Sequence, residues 1–267
     1  MPDTTRIHSQ LSDAELADFL RSLPSVSRPI ISNWFRSGGT IEWKADDSPV
    51  TLADKSAELA LREALIAQFP DDDILGEEHA PHHGNSGYSW IIDPIDGTRA
   101  FICGRPVFGT LVGLVRNDDP VAGLIDMPML DESYVAVGNV ATLNGQTIAT
   151  SKVSKLRNAR LATTAPEALL ADSLDAFNRL SAIAATNSYG GDCHNYALLA
   201  SGHLDVVLED GLATHDIMGV VQVIRAAGGT VTDKTGAPVS MSHSSSLLAA
   251  ATPELHAEAL AIVRAGS

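Results

Sequence analysis

The chain has 267 residues, of which 45% are hydrophobic and 19% are charged. A chain of this length and composition can bury a large core in one or two packed domains. Its formal net charge is −15, so most of its surface would repel the phosphate backbone of nucleic acids and the surface of anionic membranes. We therefore expect neither a nucleic acid nor a membrane among its partners.

The N-terminus and the cysteines indicate a cytoplasmic protein. Residues 1–20 contain no apolar segment like that of a signal peptide, and no apolar run elsewhere has the length of a membrane-spanning helix. Cys103 and Cys193 are the only cysteines in the sequence. They are too few for a disulfide scaffold and are not spaced like a metal-binding knuckle, so we predict two free thiols.

Two helices are the first predicted elements. Ser12 and Glu15 have the spacing of a capping box, which predicts that a helix begins directly after Ser12. Pro24 and Pro29 interrupt the helical pattern, because proline lacks the backbone donor that a helix interior requires. We expect a break or kink there, followed by a second helical piece that ends at Gly38.

A third helix follows a polar, turn-rich stretch at residues 44–54 and ends before Pro70. Asp54 lies in its first turn, where the helix dipole favours a carboxylate, and alone it is an ordinary acid of a helix start. Five apolar side chains of this region are predicted to face a core. They are Leu59, Leu61, Leu65, Ile66 and Phe69.

Three consecutive acids come next. We interpret Asp71, Asp72 and Asp73 as a solvated turn, since aspartate side chains are mostly exposed. A short apolar strand then ends at Glu77. The following loop is rich in His and Gly, but its histidines lack the helical spacing of a zinc-binding pair. We interpret this loop as exposed to solvent.

The most informative stretch surrounds Asp93 and Asp96. Residues 88–92 have the apolar, β-branched composition of a buried strand, and Pro94 cannot continue an ordinary central strand, so the two acids lie where the strand stops. Ligands of α/β proteins bind at that end of strands. The carboxylates offer oxygen ligands for Mg²⁺, and the following Gly-Thr turn offers backbone donors for phosphate oxygens. This combination predicts metal-assisted hydrolysis of a phosphate ester.

The remaining elements differ between the two halves of the chain. Residues 110–137 contain strand-like runs separated by turns, which predicts an antiparallel meander packed under the N-terminal helices, and Asn144-Gly145 is typical of a tight hairpin. From Ser151 onward strands and helices alternate, which predicts a second α/β layer. These later elements are a strand at 160–164, a helix at 166–184, a turn at 188–192, a helix at 193–201, a strand at 204–208, a helix at 215–227 and a strand at 230–232.

Six side chains form a pattern that none of them shows alone. They are Asp54, Glu77, Asp93, Asp96, Thr98 and Asp216. With the stretches around them, at residues 49–54, 76–78, 90–98 and 215–229, they resemble the metal-site signature of the inositol monophosphatase-like, lithium-sensitive phosphatases. The stretches follow the order of that family and cover most of the chain.

The resemblance implies a fold of the α/β (α+β) class, a layered α/β/α/β/α sandwich of the inositol monophosphatase/fructose-1,6-bisphosphatase type. Residues 1–150 would form an N-terminal α+β half with an antiparallel sheet and most metal ligands. Residues 151–267 would form a C-terminal α/β half with a substrate loop and Asp216. The resemblance also suggests a homodimer.

A site with two to three Mg²⁺ ions is also implied by the resemblance. The first ion would be held by Glu77, Asp93 and the carbonyl of Ile95, and the second by Asp93, Asp96 and Asp216. Glu77 would share a third, weaker ion through water. The metal would lower the pKa of the attacking water and stabilise the leaving alkoxide.

The same resemblance assigns catalytic roles. Thr98 and Asp54 would form the hydrogen-bonded pair that orients and deprotonates the attacking water, and Glu77 would act with them. The N–H groups of Gly97 and Thr98 would cradle the phosphate. Lys44 lies near a lysine of the family pattern and is a further candidate.

Two stretches, residues 98–111 and 188–196, look like the histidinol-phosphate phosphatase branch of the family. Asp192 and Glu209 would offer anionic partners to a cationic amine or imidazole, which a neutral polyol does not need. The alternative for Asp192 is that it only caps the next helix. The implied substrate contacts are Asp96, Gly97, Thr98, Gly191, Asp192, Cys193, Glu209 and Asp216.

Several alternatives stay open. His215 stands where the family commonly has Trp or Tyr, which leaves the size and orientation of the substrate undecided. The substrate could instead be inositol 1-phosphate, a range of sugar phosphates, or adenosine 3′,5′-bisphosphate held by Arg99 and Arg105. A protein of another class, a non-catalytic regulator that binds Mg²⁺ or phosphate, would usually lack one of the six signature side chains.

Overall fold

The computed structural model of the protein describes residues 7–37, 41–43, 49–241 and 245–265. The elements stack in five layers, in the order helices, sheet, helices, sheet, helices. The layered sandwich expected from the sequence is therefore confirmed. Lys44, one of the candidate residues, lies outside the described residues.

The first layer consists of α1 (Asp13–Ser22), α2 (Pro24–Trp34) and α3 (Leu52–Gln68). The predicted capping box is present, because the Ser12 hydroxyl accepts the Glu15 N–H and the Glu15 carboxylate accepts the Ser12 N–H. Pro24 begins α2, whereas Pro29 lies inside it. A short antiparallel pair that we did not predict, β1 (Ile41–Trp43) and β2 (Pro49–Thr51), lies between α2 and α3 in the chain.

The second layer is a sheet whose seven described strands follow one another in chain order. They are β3 (Asp73–Gly76), β4 (Tyr88–Asp96), β5 (Gly109–Arg116), β6 (Asp119–Met127), β7 (Glu132–Val137), β8 (Val140–Leu143) and β9 (Gln146–Thr147). β3 and β4 pair in parallel, and the other neighbours are antiparallel. The predicted meander is confirmed, and so is the hairpin, since Asn144 and Gly145 both have positive φ and connect β8 to β9.

The other three layers come from the second half of the chain. The middle layer contains α6 (Cys193–Ala200) and α7 (Thr214–Ala226), and the outer layer contains α5 (Ala171–Ser181) and α8 (Pro253–Arg264). Between them lies a mixed sheet in the order β11 (Thr186–Tyr189), β10 (Arg160–Thr163), β12 (Val206–Asp210), β14 (Ser246–Ala250) and β13 (Thr230–Thr232). Within the described part of the chain, no helix combines the length and apolar character needed to cross a bilayer.

Helix α7 lies directly on the larger sheet because glycines remove the side chains between them. A Cβ atom on Gly113 would lie 2.7 Å from the backbone carbon of Met218, and one on Gly123 would lie 2.4 Å from the carbonyl oxygen of Gly219. Any larger residue at these positions would push the helix away. This close packing brings the N-terminus of α7 to the end of β4.

Two expectations about the first half of the chain are wrong. Leu59 and Ile66 do not face the core: they are 49% and 39% exposed on α3, while the other three predicted side chains are buried. Asp72 is not in a solvated turn. It is fully buried and accepts a hydrogen bond from the Trp90 indole at 2.8 Å, with His8 Nε2 at 3.1 Å.

Three element boundaries also differ from the predictions. β4 does not stop before Pro94 but continues to Asp96, because a register shift against β5 leaves the proline without a ladder bond to make. The helix expected at 166–184 is split into a 3₁₀ turn, Pro166–Ala168, and α5. The turn expected at 188–192 begins within the edge strand β11. Two further elements, β14 and α8, were not predicted.

Candidate active site

Asp93 and Asp96 lie at a β-bulge near the end of β4. Asp93 is only 2% exposed, and its carboxylate accepts the N–H of Ile95 at 3.0 Å. Bulges re-aim side chains, and here the carboxylate oxygens of the two acids come within 4.8 Å of each other. Both acids were predicted to lie at a strand end, and the bulge brings their carboxylates close together.

Asp216 reaches the same place from the other direction. It lies in the first turn of α7, where its carboxylate accepts the N–H of Ala213 at 2.7 Å. Its ligand atom and those of Asp93 and Asp96 all lie within 4.8 Å of one another. Residues 120 positions apart in the sequence therefore meet because α7 sits on the larger sheet.

A second, overlapping group of possible ligands contains Glu77, Asp93 and His215, again with ligand atoms within 4.8 Å of one another. Asp93 belongs to both groups. Two neighbouring centres that share one carboxylate are the arrangement found in two-metal phosphatases.

The electrostatics of this cluster favour a bound cation. Burial raises the pKa of Asp93 well above its ordinary value, and the negative charges of Asp96, Glu77, Asp216 and Asp54 raise it further. Buried carboxylates that repel one another are stabilised when they bind a divalent cation that prefers oxygen atoms as ligands. The donor set therefore fits Mg²⁺, and Glu77, Asp93, Asp96 and Asp216 are the side chains that would hold it.

The predicted catalytic residues lie beside this cluster. Asp54 is buried at the start of α3, and its charge acts on Asp93. Thr98 begins the short helix α4 (Thr98–Ile102), and its hydroxyl donates to the carbonyl of Ile95 at 3.1 Å. Gly97 precedes it with φ of 84°, a left-handed conformation that favours glycine. The pairing of Thr98 with Asp54 stays a prediction.

The loop that carries Glu77 is held by a buried ion pair that the sequence analysis missed. Glu58 of α3 accepts the N–H groups of Glu78 at 2.7 Å and His79 at 3.1 Å, and Arg62 donates to it at 2.6 Å. These bonds fix the backbone immediately after Glu77. The i, i+4 spacing of Glu58 and Arg62 predicts an ion pair, but only the fold shows that it is buried and binds this loop.

A cavity of about 440 Å³ opens over the carboxylate cluster. The predicted substrate contacts that line it are Asp96, Gly97, Thr98, Asp192, Cys193, Glu209 and Asp216, together with Glu77. Gly191 lies next to Gly190, which lines the cavity, and packs against the side chain of Asn195. The fold thus gathers residues from α4, α6, α7 and β12 around one space of small-molecule size.

Asp192 has an unusual backbone, and its carboxylate does not cap the helix that follows it. It precedes α6 at the N-cap position with φ of 47° and ψ of −132°, yet its side chain makes no capping hydrogen bond. The alternative role as a helix cap is therefore not supported. Burial raises the pKa of Asp192 to about 6, against the opposing effect of the positive charges of Arg105 and Arg99. Strained residues of this kind cluster at functional sites.

Cys193 connects this loop to the carboxylate cluster. Its N–H donates to Asp96 at 2.6 Å, while its buried thiol lies 3.8 Å from the sulfur of Met127. The pKa of the Cys193 thiol is raised by burial, so the thiol stays neutral. Cys193 and Cys103 are both free, as predicted.

Glu209 lines the cavity near the end of β12. Its carboxylate accepts the N–H of Thr164 at 3.1 Å, the Thr164 hydroxyl at 2.5 Å and the Tyr196 hydroxyl at 2.9 Å. Burial raises the pKa of Glu209 to about 7, although these hydrogen bonds oppose the rise. The Thr164 hydroxyl also accepts the N–H of Asp192 at 3.0 Å, so Glu209 and the Asp192 loop belong to one hydrogen-bonded network.

The fold and the site together define a class, the metal-dependent phosphatases built as a five-layered sandwich. This chain belongs to the inositol monophosphatase family, whose family profile matches residues 14–266. The family predicted from the six signature side chains is therefore confirmed. Members of the family generally depend on a metal ion, typically Mg²⁺.

The names of similar proteins include both histidinol-phosphatases and inositol monophosphatases. The bifunctional phosphatase IMPL2 of Arabidopsis thaliana, described as chloroplastic, is 40% identical over 265 residues, which cover 94% of this chain and 77% of the relative. A histidinol-phosphatase of Chlorobaculum parvum is 36% identical over 195 residues, covering 72% and 75% of the two chains. A solved inositol monophosphatase of Zymomonas mobilis is 36% identical with a TM-score of 0.85, covering 95% of this chain and 99% of that one.

Proposed function

We propose that this protein hydrolyses histidinol phosphate to histidinol and phosphate in a Mg²⁺-dependent reaction of histidine biosynthesis. The observation that carries the proposal is the carboxylate of Asp192, which lies in the cavity beside the metal-binding acids and caps no helix. An acid at this position suits a substrate that has a cationic amine next to its phosphate ester. The name of the Chlorobaculum parvum relative supports the same substrate.

In this proposal the carboxylate cluster and the Ile95 carbonyl would hold two to three Mg²⁺ ions. When bound, the ions supply positive charge that lowers the pKa of water and stabilises charge on the phosphate oxygens. Thr98 orients the attacking water, and Asp54 receives its proton. The water oxygen bonds to phosphorus as the bond from phosphorus to the ester oxygen breaks. Histidinol leaves with that oxygen, which takes up a proton from solvent.

Binding of the substrate is assigned to residues around the cavity. The N–H groups of Gly97 and Thr98 donate to the phosphate, and Asp192 pairs with the amine. Glu209 acts on the same end of the substrate, because its network holds the Asp192 loop. A bound cation would favour the ionised forms of both acids.

The test is a comparison of phosphate release from histidinol phosphate, inositol 1-phosphate and adenosine 3′,5′-bisphosphate, with Mg²⁺ and after chelation. A kcat/KM for histidinol phosphate about a hundredfold above the others, roughly 2.7 kcal/mol of transition-state preference, would support the proposal. Similar values for all three would indicate a general phosphatase. No Mg²⁺-dependent release from any ester would favour a non-catalytic regulator.

The second candidate is hydrolysis of inositol 1-phosphate or of several sugar phosphates. It is favoured by the likeness to the inositol monophosphatase of Zymomonas mobilis, which covers 95% of this chain. In this case Asp192 would accept hydrogen bonds from hydroxyl groups instead of pairing with an amine. The substrate comparison distinguishes the two candidates directly.

We further propose a cytoplasmic homodimer. The cytoplasmic location is supported by the two free cysteines, which suit a reducing compartment. The dimer is proposed by analogy with the family alone. Light scattering after size-exclusion chromatography tests it, with a mass twice the 28.1 kDa of the chain as the expected result.

A further inference from the structure

The ring of His215 lies among the acids of the candidate metal site. His215 is the second residue of α7, and its ring is half-buried next to Asp216. One of its ring nitrogens lies within 4.8 Å of ligand atoms of both Glu77 and Asp93. A histidine is thus placed where two carboxylates converge.

His215 also faces Asp216: its Nε2 lies 3.7 Å from the nearest Asp216 oxygen, which is within ion-pair distance but longer than a hydrogen bond. This contact does not account for the approach of the ring to Glu77 and Asp93. Metal ligands lie about 2.0–2.2 Å from a small divalent ion, so ligand atoms around one ion are about 3–4 Å apart. The separations of the Glu77, Asp93 and His215 ligand atoms, all within 4.8 Å, are close to this range.

We propose that His215 supplies a nitrogen ligand to the metal centre formed by Glu77 and Asp93. This inference rests on the proposed metal-dependent function, and it deepens it by assigning a mixed nitrogen and oxygen ligand set. Imidazole binds Mn²⁺ and the later transition metals better than Mg²⁺, which prefers oxygen ligands and water. The centre should therefore hold Mn²⁺ more tightly, relative to Mg²⁺, than a centre with oxygen ligands alone.

The experiment is pulsed EPR of Mn²⁺ bound to the purified protein, which detects magnetic coupling between the ion and a directly bonded ¹⁴N nucleus. Four proteins are compared: the wild type, H215Y, H79N and H203N. Tyr keeps an aromatic ring at position 215 without a ring nitrogen. His79 lies in the loop that follows Glu77, and His203 is exposed in the turn after α6. Dissociation constants for Mn²⁺ and Mg²⁺ are measured by titration, and circular dichroism checks folding.

We expect ¹⁴N coupling in the wild type, H79N and H203N, and none in H215Y. The dissociation constant for Mn²⁺ should rise about 10-fold in H215Y, while that for Mg²⁺ should change less than about 3-fold. Bound Mn²⁺ without nitrogen coupling in the wild type, or coupling that persists in H215Y, would overturn the assignment of His215 and leave the phosphatase proposal standing. Absence of Mn²⁺ and Mg²⁺ binding would overturn both. If H215Y does not fold, H215N replaces it with the same criteria.

Discussion

Asp93 is the residue on which the candidate site depends most. It is shared by both groups of possible ligands, and it is buried among four other acids that raise its pKa. Its charge is therefore unfavourable to the folded chain without metal and favourable to metal binding. One side chain thus links stability to the proposed activity.

The variant D93N should lose phosphatase activity by more than about 100-fold, because it removes a ligand from both centres. Its fold should persist, and without metal its melting temperature should exceed that of the wild type, since one buried charge is gone. Phosphate release and circular dichroism measure these effects. D175N, which changes an exposed acid of α5, is the matched control and should behave like the wild type. Retained activity in D93N would refute the two-centre assignment.

Asp192 should determine the preference for a cationic substrate. In D192N the KM for histidinol phosphate should rise about 10-fold or more, because an ion pair with the amine is lost, while the KM for a neutral phosphate ester should change little. Steady-state kinetics on both esters give the ratio. In the wild type, this preference should fall as the pH drops through the pKa of Asp192, which is about 6 without metal and lower with a bound cation. Equal effects of D192N on the KM values of both esters would refute the proposed contact between Asp192 and the amine.

Glu209 should make the stability of the protein depend on pH. Its pKa is raised from 4.5 to about 7 by burial, so the contribution of this group to stability is fully present below about pH 4.5 and is lost as the pH rises through about 7. The variant E209Q keeps an acceptor for Thr164 and cannot ionise. Between pH 5 and pH 8 the unfolding free energy of the wild type should fall by on the order of 3 kcal/mol more than that of E209Q. Urea unfolding at pH 5 and pH 8 measures this, and identical pH slopes for the two proteins would show the prediction to be wrong.

At the scale of elements, α3 and the loop after β3 act as one unit. Glu58 accepts two backbone N–H groups of this loop, and a Cβ atom on Gly76 would lie only 2.2 Å from the Glu58 carboxylate. The glycine therefore lets the helix side chain reach the loop backbone. The position of Glu77 follows from this contact.

The variant E58Q should weaken metal binding about 10-fold, because a neutral amide holds the loop backbone less firmly. It should also lower the unfolding free energy by about 3 kcal/mol, since Arg62 loses its buried partner. Mg²⁺ titration and urea unfolding measure the two effects separately. E63Q, on the exposed side of the same helix, is the matched control. Unchanged metal affinity in E58Q would limit Glu58 to a structural role.

At the scale of the whole molecule, metal and fold should be coupled. The chain has a net charge of −15, and several of its acids meet in the site between the two sheets. A cation that binds only the folded chain stabilises it in proportion to the logarithm of its concentration. Mg²⁺ is therefore expected to stabilise the entire sandwich.

Mg²⁺ at about 100 times its dissociation constant should raise the unfolding free energy by about 2.7 kcal/mol, and chelation should reverse the effect. Thermal unfolding with and without Mg²⁺ measures it, with NaCl of equal ionic strength as the control for charge screening. D93N should show little of this stabilisation. Equal stabilisation of the wild type by NaCl would indicate screening rather than binding.

Local signals in the sequence were sufficient for much of the fold. The capping box at Ser12, the hairpin at Asn144-Gly145 and the meander depend on neighbouring residues, and each appears where it was predicted. The wrong predictions concern features that depend on residues far away in the sequence. Whether Ile66 faces a core and whether Asp72 is buried depend on distant partners, such as Trp90 for Asp72, which local patterns do not contain.

The family and the candidate acids could be predicted from the sequence alone, because metal ligands need particular chemical groups and those groups are visible as residue types and spacings. Which of these groups lie close together depends on the fold. The bulge in β4 and the glycines under α7 bring Asp93 and Asp216 together. The backbone of Asp192 and the ring of His215 also acquire their surroundings from distant parts of the chain. Distances between side chains far apart in sequence depend on how the layers pack, and packing is a property of the whole fold.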